Sequence, residues 1–271
     1  MADHAHNLRA SFRKGANGKQ KPIGVITRGT TGVNRLRRFD RWCFHHPKIR
    51  SLLDATSLAL DVGYGASHTT TVEWGRWLHR LQPDMDVIGL EINPERVLEP
   101  QNGVSFELGG FELAGYTPQL VRAFNVLRQY DVDQVEAAWE TVTSRLAPGG
   151  LFFEGTCDEI GKRCTWITLN SDGPQELTLA WDPWGISTPS DVAERLPKML
   201  IHRNIPGEKI HSLLAAADLA WDYCAGWEPH GPRVRWEKAR EMLIDQGWPI
   251  TVSRRRVGDS LLTVPWETVA P

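Results

Sequence analysis

Apolar positions along this chain come either as short unbroken runs or at helical spacing, and the two kinds of signal take turns. From Val33 to Ala55 the spacing is helical: Leu36, Phe39 and Cys43 share a face. Pro47 interrupts the run, and Ile49, Leu52 and Leu53 form a second short face. A continuous apolar run at Ser57–Val62 predicts a buried strand, followed by an amphipathic helix over Thr69–Leu81. Its first residues, Ser67-His68-Thr69-Thr70-Thr71, are rich in N-capping side chains. Val87–Leu90, closing on Glu91, reads as a second strand, Pro94–Leu98 as a short helix and Val104–Leu108 as a third strand. A fourth strand is expected at Leu120–Asn125, a helix at Asp133–Leu146, and a fifth strand at Leu151–Glu154 after the turn Ala147-Pro148-Gly149-Gly150. Such alternation implies a parallel sheet with right-handed crossovers, and unbroken apolar strands fit a sheet covered on both faces.

The second half is less regular. Cys164–Asn170 and Glu176–Trp181, joined by Ser171-Asp172-Gly173-Pro174, read as a β-hairpin. Helices are expected within Pro206–Ala225 and over Val234–Gln246, the latter stopped by Gly247. Ile250–Arg256 and Ser260–Trp266 read as a closing hairpin. The fold class expected is α/β, a doubly wound and mostly parallel sheet with a basic N-terminal extension and an inserted α+β segment. Three parts follow: the extension over 1–54, a nucleotide-binding core over 55–160 and 233–271, and an insertion over 161–232 expected to hold the acceptor.

Charge changes this picture at one end. The 271 residues carry 31 Lys and Arg against 33 Asp and Glu, a formal −2, yet residues 1–50 hold twelve basic residues and two acids. That segment is therefore +10 and the remainder −12. Such an arm needs an anionic partner, or the acidic body itself as its docking surface. Residues 1–22 are polar and basic and are expected to be mobile. No apolar run approaches the roughly 20 residues that span a bilayer, and the N-terminus lacks the apolar stretch of a secretory signal. The four cysteines (Cys43, Cys157, Cys164, Cys224) form no C-x-x-C pair. A cytoplasmic protein without membrane contact is the expectation.

The strongest chemical signal is Leu60-Asp61-Val62-Gly63-Tyr64-Gly65-Ala66-Ser67: an acid at a strand end, then a Gly-x-Gly turn that opens a helix. Glycines at such a turn let backbone approach a ligand and adopt conformations a Cβ forbids. The acid suits the ammonium of a zwitterionic ligand. Thirty residues further on, Glu91 ends the next strand, where a carboxylate can accept both ribose hydroxyls. A dinucleotide site is the rival reading, but its G-x-G-x-x-G fingerprint needs glycine where His68 stands. A tight turn beside an incidental acid is the bland alternative.

Taken in order, Asp61-Val62-Gly63-Tyr64-Gly65, Val87-Ile88-Gly89-Leu90-Glu91 and Arg145-Leu146-Ala147-Pro148-Gly149-Gly150-Leu151 resemble the class I S-adenosylmethionine-dependent methyltransferases. The resemblance covers roughly residues 55–160. It extends over 234–266, where a helix ending at Gly247-Trp248 before a closing hairpin resembles that family's last helix and its strands six and seven. It implies S-adenosylmethionine as cofactor, with Asp61, Gly63 and Gly65 around its methionine part, Glu91 on the ribose and Ile92 against the adenine. The family often has an acid after the third strand to meet the adenine amine. Here Gly110 stands in that place, so either Glu112 substitutes or the Phe111 backbone does the work.

At the end of the fourth strand, Asn125-Val126-Leu127-Arg128-Gln129-Tyr130 is not the N/D-P-P-Y/F sequence of many amino-directed nucleic-acid methyltransferases. With the Pro-Gly-Gly turn and Glu154-Gly155 it resembles a stretch of chemoreceptor glutamate methyltransferases. Asn125, Tyr130 and Asp158 are the candidate catalytic residues, with Tyr130 or Asp158 accepting a proton where the acceptor must lose one. Arg35, Arg38 and Arg128 are the candidate substrate contacts, the first two within the run Arg28-Gly29-Thr30-Thr31-Gly32-Val33-Asn34-Arg35-Leu36-Arg37-Arg38, which is suited to phosphates. The expected acceptors are a nucleic acid (RNA) held by the basic arm or a small anionic molecule. A non-catalytic cofactor- or nucleic-acid-binding module and a protein carboxyl methyltransferase are the alternatives. His45-His46 has no Cys, Asp or Glu beside it at ligand spacing, so no metal is expected. Oligomeric state is left open.

Overall fold

The computed structural model describes residues 22–26, 31–252 and 259–271. One eight-stranded sheet runs through it in the order β3-β2-β1-β4-β5-β6-β7-β8. Strands β1 (Leu58–Val62), β2 (Asp86–Glu91), β3 (Ser105–Leu108), β4 (Leu120–Phe124) and β5 (Leu151–Cys157) pair in parallel. β6 (Arg163–Asn170), β7 (Gly173–Trp181) and β8 (Ser260–Pro265) continue the sheet as an antiparallel meander. The order reverses direction between β1 and β4, so a crevice opens beyond the carboxyl ends of those two strands, where doubly wound sheets bind ligands.

Both faces are covered, which is why the central strands are apolar throughout rather than alternating. On one face α1 (Arg37–His45), α2 (Pro47–Leu52) and α3 (Thr69–Leu78) bury Phe39, Trp42, Ile49, Trp74 and Leu78 against Ala59, Leu120 and Phe153. On the other, α4 (Val132–Thr143), α5 (Lys209–Tyr223) and α6 (Pro232–Asp245) bury Val135, Leu213 and Trp236 against Leu60, Val121, Phe152 and Leu262. Phe39 alone lies 4.9 Å from Phe124, 5.0 Å from Phe153 and 5.6 Å from Trp166, ring centre to ring centre. Residues 37–54, assigned from sequence to an extension, are therefore part of this core. α4 starts at a cap in which Gln134 Oε1 accepts the Asp131 N–H.

Three features differ from the sequence reading. β5 runs on to Cys157, because β6 goes on pairing with it through Thr156 and Cys157 after pairing with β4 ends at Gly155. The hairpin from within the expected insertion adds β6 and β7 directly to β5, turning through Asp158–Lys162. The closing hairpin is absent among the described residues: β8 pairs with β7, Ile250–Val252 forms no strand, and Thr251 N–H meets only Thr263 O. The remaining residues of that first arm, 253–256, lie outside the described residues, as does the expected mobile stretch up to residue 21.

Gly155 marks the tightest part of the β4–β5–β6 junction. A Cβ there would run into the Phe124 ring and stand 2.8 Å from Thr165 O. Gly155→Ala is expected to lower unfolding free energy by about 1–3 kcal/mol through overpacking. Urea denaturation checks this: the midpoint falls while the slope stays constant.

Candidate functional site

The turn after β1 is built as the sequence suggested. Gly63 and Gly65 take φ of 73° and 82°, values that a side chain resists. Gly63 N–H bonds to Leu90 O and Gly65 N–H to Glu91 Oε2 at 3.1 Å, tying the turn to the end of β2. Glu91 is buried, and its other oxygen accepts the Ile92 and Asn93 N–H groups at 2.9 and 3.2 Å. Three backbone donors thus fix a carboxylate at the neighbouring strand end, beside the glycine turn. Asp61 and Glu91 lie near the carboxyl ends of adjacent strands, with Val62 opposite Leu90.

Asp61 faces the α1–α3 side, and its partner there had no signal in the sequence. Arg122, fully buried in β4, donates from Nη2 to Asp61 Oδ2 at 2.7 Å and from Nη1 to Asp40 Oδ1 at 2.8 Å. Nη2 also reaches Thr70 O, Thr71 hydroxyl donates to the same Asp61 oxygen, and the guanidinium lies 4.4 Å from the Trp74 ring centre. Arg122 Nε has no hydrogen-bond partner. Burial outweighs the attraction of Arg122 on Asp40, with Glu73 and Asp61 adding repulsion, and pushes its carboxyl up to about 7.

The residues expected around adenine are occupied from within the chain. Glu112 is buried; its Oε1 accepts Gly110 N–H at 2.8 Å and its Oε2 accepts Ile23 N–H at 2.5 Å. Phe111 N–H donates to Ile23 O at 2.9 Å. The Phe111 ring packs in the core against Tyr130, 5.9 Å between centres, so only its backbone is presented. Ile92 is half-buried, its methyls within ordinary van der Waals reach of where a Cβ on Gly24 would stand.

On the acceptor side, the structure corrects the proton-accepting roles. Tyr130 is buried, its hydroxyl accepts the Val25 N–H, and burial pushes its phenol up to about 12, so it stays protonated. Asp158 spends both oxygens on the Lys162 and Arg163 N–H groups of the β5–β6 turn. Asn125 has φ of 61°, its N–H bonds Gly155 O and its side-chain oxygen accepts Cys157 N–H, which makes it a clasp between β4 and β5. What the sequence reading missed is Glu154. It is fully buried on β5, opposite Ala123 of β4, and neither oxygen has a hydrogen-bond partner. Burial pushes it up to about 8, against the pull of the nearby Arg128 guanidinium. Arg128 itself is half-buried and stands in the turn beyond β4.

Arg35 and Arg38 do not face a solvent-side ligand. Arg35 donates to Asp158 O and Cys157 O, and Arg38, 2% exposed, donates to Gly161 O and pairs with Asp259. Arg37 reaches Ile160 O and Arg41 reaches Asp259. Of the two partners open to the basic arm, the acidic body holds these described residues; residues 27–30, with Arg28, lie outside the described residues. No cluster of three or more His, Cys, Asp or Glu is placed to hold a metal among the described residues. No helix among them is long and apolar enough to cross a membrane.

No protein-family profile and no curated protein matches the chain. Solved structures similar to part of it include a cyclopropane synthase from Mycobacterium tuberculosis (14% identity, 50% of this chain and 47% of that one, TM-score 0.33). Another is a precorrin-6y C5,15-methyltransferase from Geobacter metallireducens (16% identity, 49% and 67%, TM-score 0.33). A third, from Anaeromyxobacter dehalogenans and proposed to be a type II methyltransferase, matches at 16% identity over 48% of this chain and 49% of that one, TM-score 0.34. The match thus spans about half the length of the first and third.

The buried acids give a testable pH dependence. Asp40 and Glu154 titrate near 7 and 8 in the folded chain and near 4 when unfolded, so between roughly pH 4 and 8 the native state binds more protons than the unfolded one. Stability therefore falls as pH rises through that window. Asp40→Asn and Glu154→Gln are each expected to flatten the fall by about 1–4 kcal/mol between pH 5 and pH 8, measured by urea denaturation. Arg122→Leu strands two carboxylates and is expected to cost about 3–5 kcal/mol at pH 8.

Proposed function

We propose that this chain is an S-adenosylmethionine-dependent methyltransferase acting on a small molecule. The observation that carries this is the pair of carboxylates, Asp61 and Glu91, at adjacent strand ends around the Gly63–Gly65 turn. The arrangement suits that cofactor's parts. Glu91, held by three N–H groups, keeps lone pairs for ribose hydroxyls, and Asp61 Oδ1, which neither Arg122 nor Thr71 takes, suits an ammonium beside the turn. Phe111 N–H and Glu112 offer a donor and an acceptor to an adenine edge once Ile23 leaves them.

The bound cofactor supplies a sulfonium methyl group, which an acceptor lone pair takes by in-line displacement as the C–S electron pair stays on sulfur. The chain's work is to position both partners and take up a proton where the acceptor has one to lose. Glu154 is the carboxylate suited to that: buried, without hydrogen bonds, beside the end of β4 and titrating near neutrality. Arg128 beyond β4 favours an acceptor with some negative charge. A nucleic acid is the weaker reading, because Arg35, Arg37, Arg38 and Arg41 are spent on the body. A cofactor-binding module without catalysis is the second reading, favoured by the structural engagement of Asn125, Tyr130 and Asp158.

Calorimetry of the full-length chain with S-adenosylhomocysteine at concentrations up to millimolar tests the cofactor assignment. Glu91→Ala is expected to weaken binding at least tenfold while leaving the far-ultraviolet circular dichroism unchanged; wild-type affinity in this variant removes the ribose role. Transfer of label from methyl-labelled cofactor to extract fractions then separates the acceptors. Label in a nuclease-resistant, low-mass fraction supports the small-molecule reading, nuclease-sensitive label supports nucleic acid, and tight binding without transfer supports the non-catalytic module.

A further inference from the structure

The five residues 22–26 run across the site at the ends of β3 and β4, and their contacts are specific. Ile23 donates its N–H to Glu112 and accepts the Phe111 N–H through its carbonyl, a two-bond donor-and-acceptor edge made by one peptide residue. Adenine presents the same pair side by side: an exocyclic amine that donates and a ring nitrogen that accepts. Gly110 lies so close beneath that a Cβ there would collide with Ile23 O. A Cβ on Gly24, at φ of 153°, would stand 3.4 Å from the Tyr130 hydroxyl and 3.5 Å from Ile92, in ordinary van der Waals contact with both. Val25 N–H donates to the Tyr130 hydroxyl at 2.5 Å, and Gln129 Nε2 reaches Val25 O and Ile26 O at 3.4 Å. Ile23 itself is buried in the core cluster with Leu90, Phe111 and Tyr130.

We infer that residues 22–26 form an internal strap that imitates the hydrogen-bonding edge of adenine and competes with a purine nucleoside for the Phe111–Glu112 site. This rests on the cofactor reading above and adds its regulation. Two features support competition over permanent wall-building. Ile23 N–H takes Glu112 Oε2 while Gly110 N–H takes Oε1, so an adenine amine approaching the Oε2 edge meets Ile23 N–H already there. The return bond from Phe111 N–H to Ile23 O makes the contact two-sided, and together the two bonds hold the strap closed in the absence of ligand. A ligand that binds only the open form then shows an apparent affinity reduced by the open fraction.

The test is calorimetric, with S-adenosylhomocysteine as probe. Four samples are compared: the full chain, a chain lacking residues 1–30, full-length Ile23→Pro, which cannot donate to Glu112, and the truncated chain plus a peptide of residues 19–30. Truncation is expected to tighten binding about tenfold or more, Ile23→Pro to tighten it in the same direction, and the peptide to weaken it again in a concentration-dependent way. The point variant and the peptide keep the result readable if truncation lowers stability. Equal affinity in full-length, truncated and Ile23→Pro chains overturns the strap while leaving the cofactor reading intact. Weaker binding after truncation also overturns it, since residues 22–26 would then be a wall of the pocket. Failure of every form to bind at millimolar probe overturns the cofactor reading, and the strap's competitive role with it.

Discussion

A guanidinium in the middle of a parallel sheet has to be neutralised from inside the protein, and Arg122 draws one carboxylate from each of two distant stretches to do it. Asp61 comes from the neighbouring strand and Asp40 from α1, with the face of Trp74 closing a third side. Buried pairs of this kind return little net stability, because desolvation consumes most of the attraction. What they enforce is arrangement. α1 cannot leave the sheet without stranding Arg122, and β1 cannot shift against β4 without breaking the Asp61 contact. The glycine turn that follows Asp61 is thereby held at one height relative to the ends of β2 and β4.

From that constraint the site geometry follows in short steps. The turn places Gly65 N–H on Glu91, Glu91 gathers Ile92 and Asn93 N–H, and the end of β2 becomes a rigid anionic shelf. Across the crevice Asn125, in a left-handed conformation, knits the end of β4 to β5 and leaves Glu154 beneath without hydrogen bonds. In the function proposed above, this carboxyl, raised by burial to about 8, is the group that takes up the acceptor's proton. Tyr130 was the more visible choice, but a phenol buried against Phe111 is a hydrogen-bonding post for the backbone of Val25, not a proton acceptor.

The parallel half of the sheet was legible because its strands are unbroken apolar runs separated by helical spacing, and the Asp61–Gly65 turn because glycines and an acid sit together in the chain. Arg122 was not legible. It interrupts an apolar strand by a single residue, and its partners lie 61 and 82 positions away. Glu154 was hidden similarly, as one acid at the end of Leu151–Glu154 that looked like a strand terminus until the strand continued to Cys157. Only part of the closing hairpin can be followed: residues 253–258 of its first arm and turn lie outside the described residues. Ser260–Pro265 has the expected pattern and pairs on one side with β7, which the β6–β7 hairpin had already brought to the sheet edge, while Thr251 N–H bonds Thr263 O.

Charge asymmetry deserves the same physical treatment. A segment of +10 beside a body of −12 reads on its face as a nucleic-acid arm. In the folded chain, however, Arg35, Arg37, Arg38 and Arg41 end on carbonyls of the β5–β6 turn and on Asp259, all belonging to the body. A cation buried on such partners has given up its hydration already and gains little by moving to a phosphate. The +10 counted along residues 1–50 is therefore in part internal to the fold, and what it leaves for an anionic partner is smaller than the sequence alone suggests.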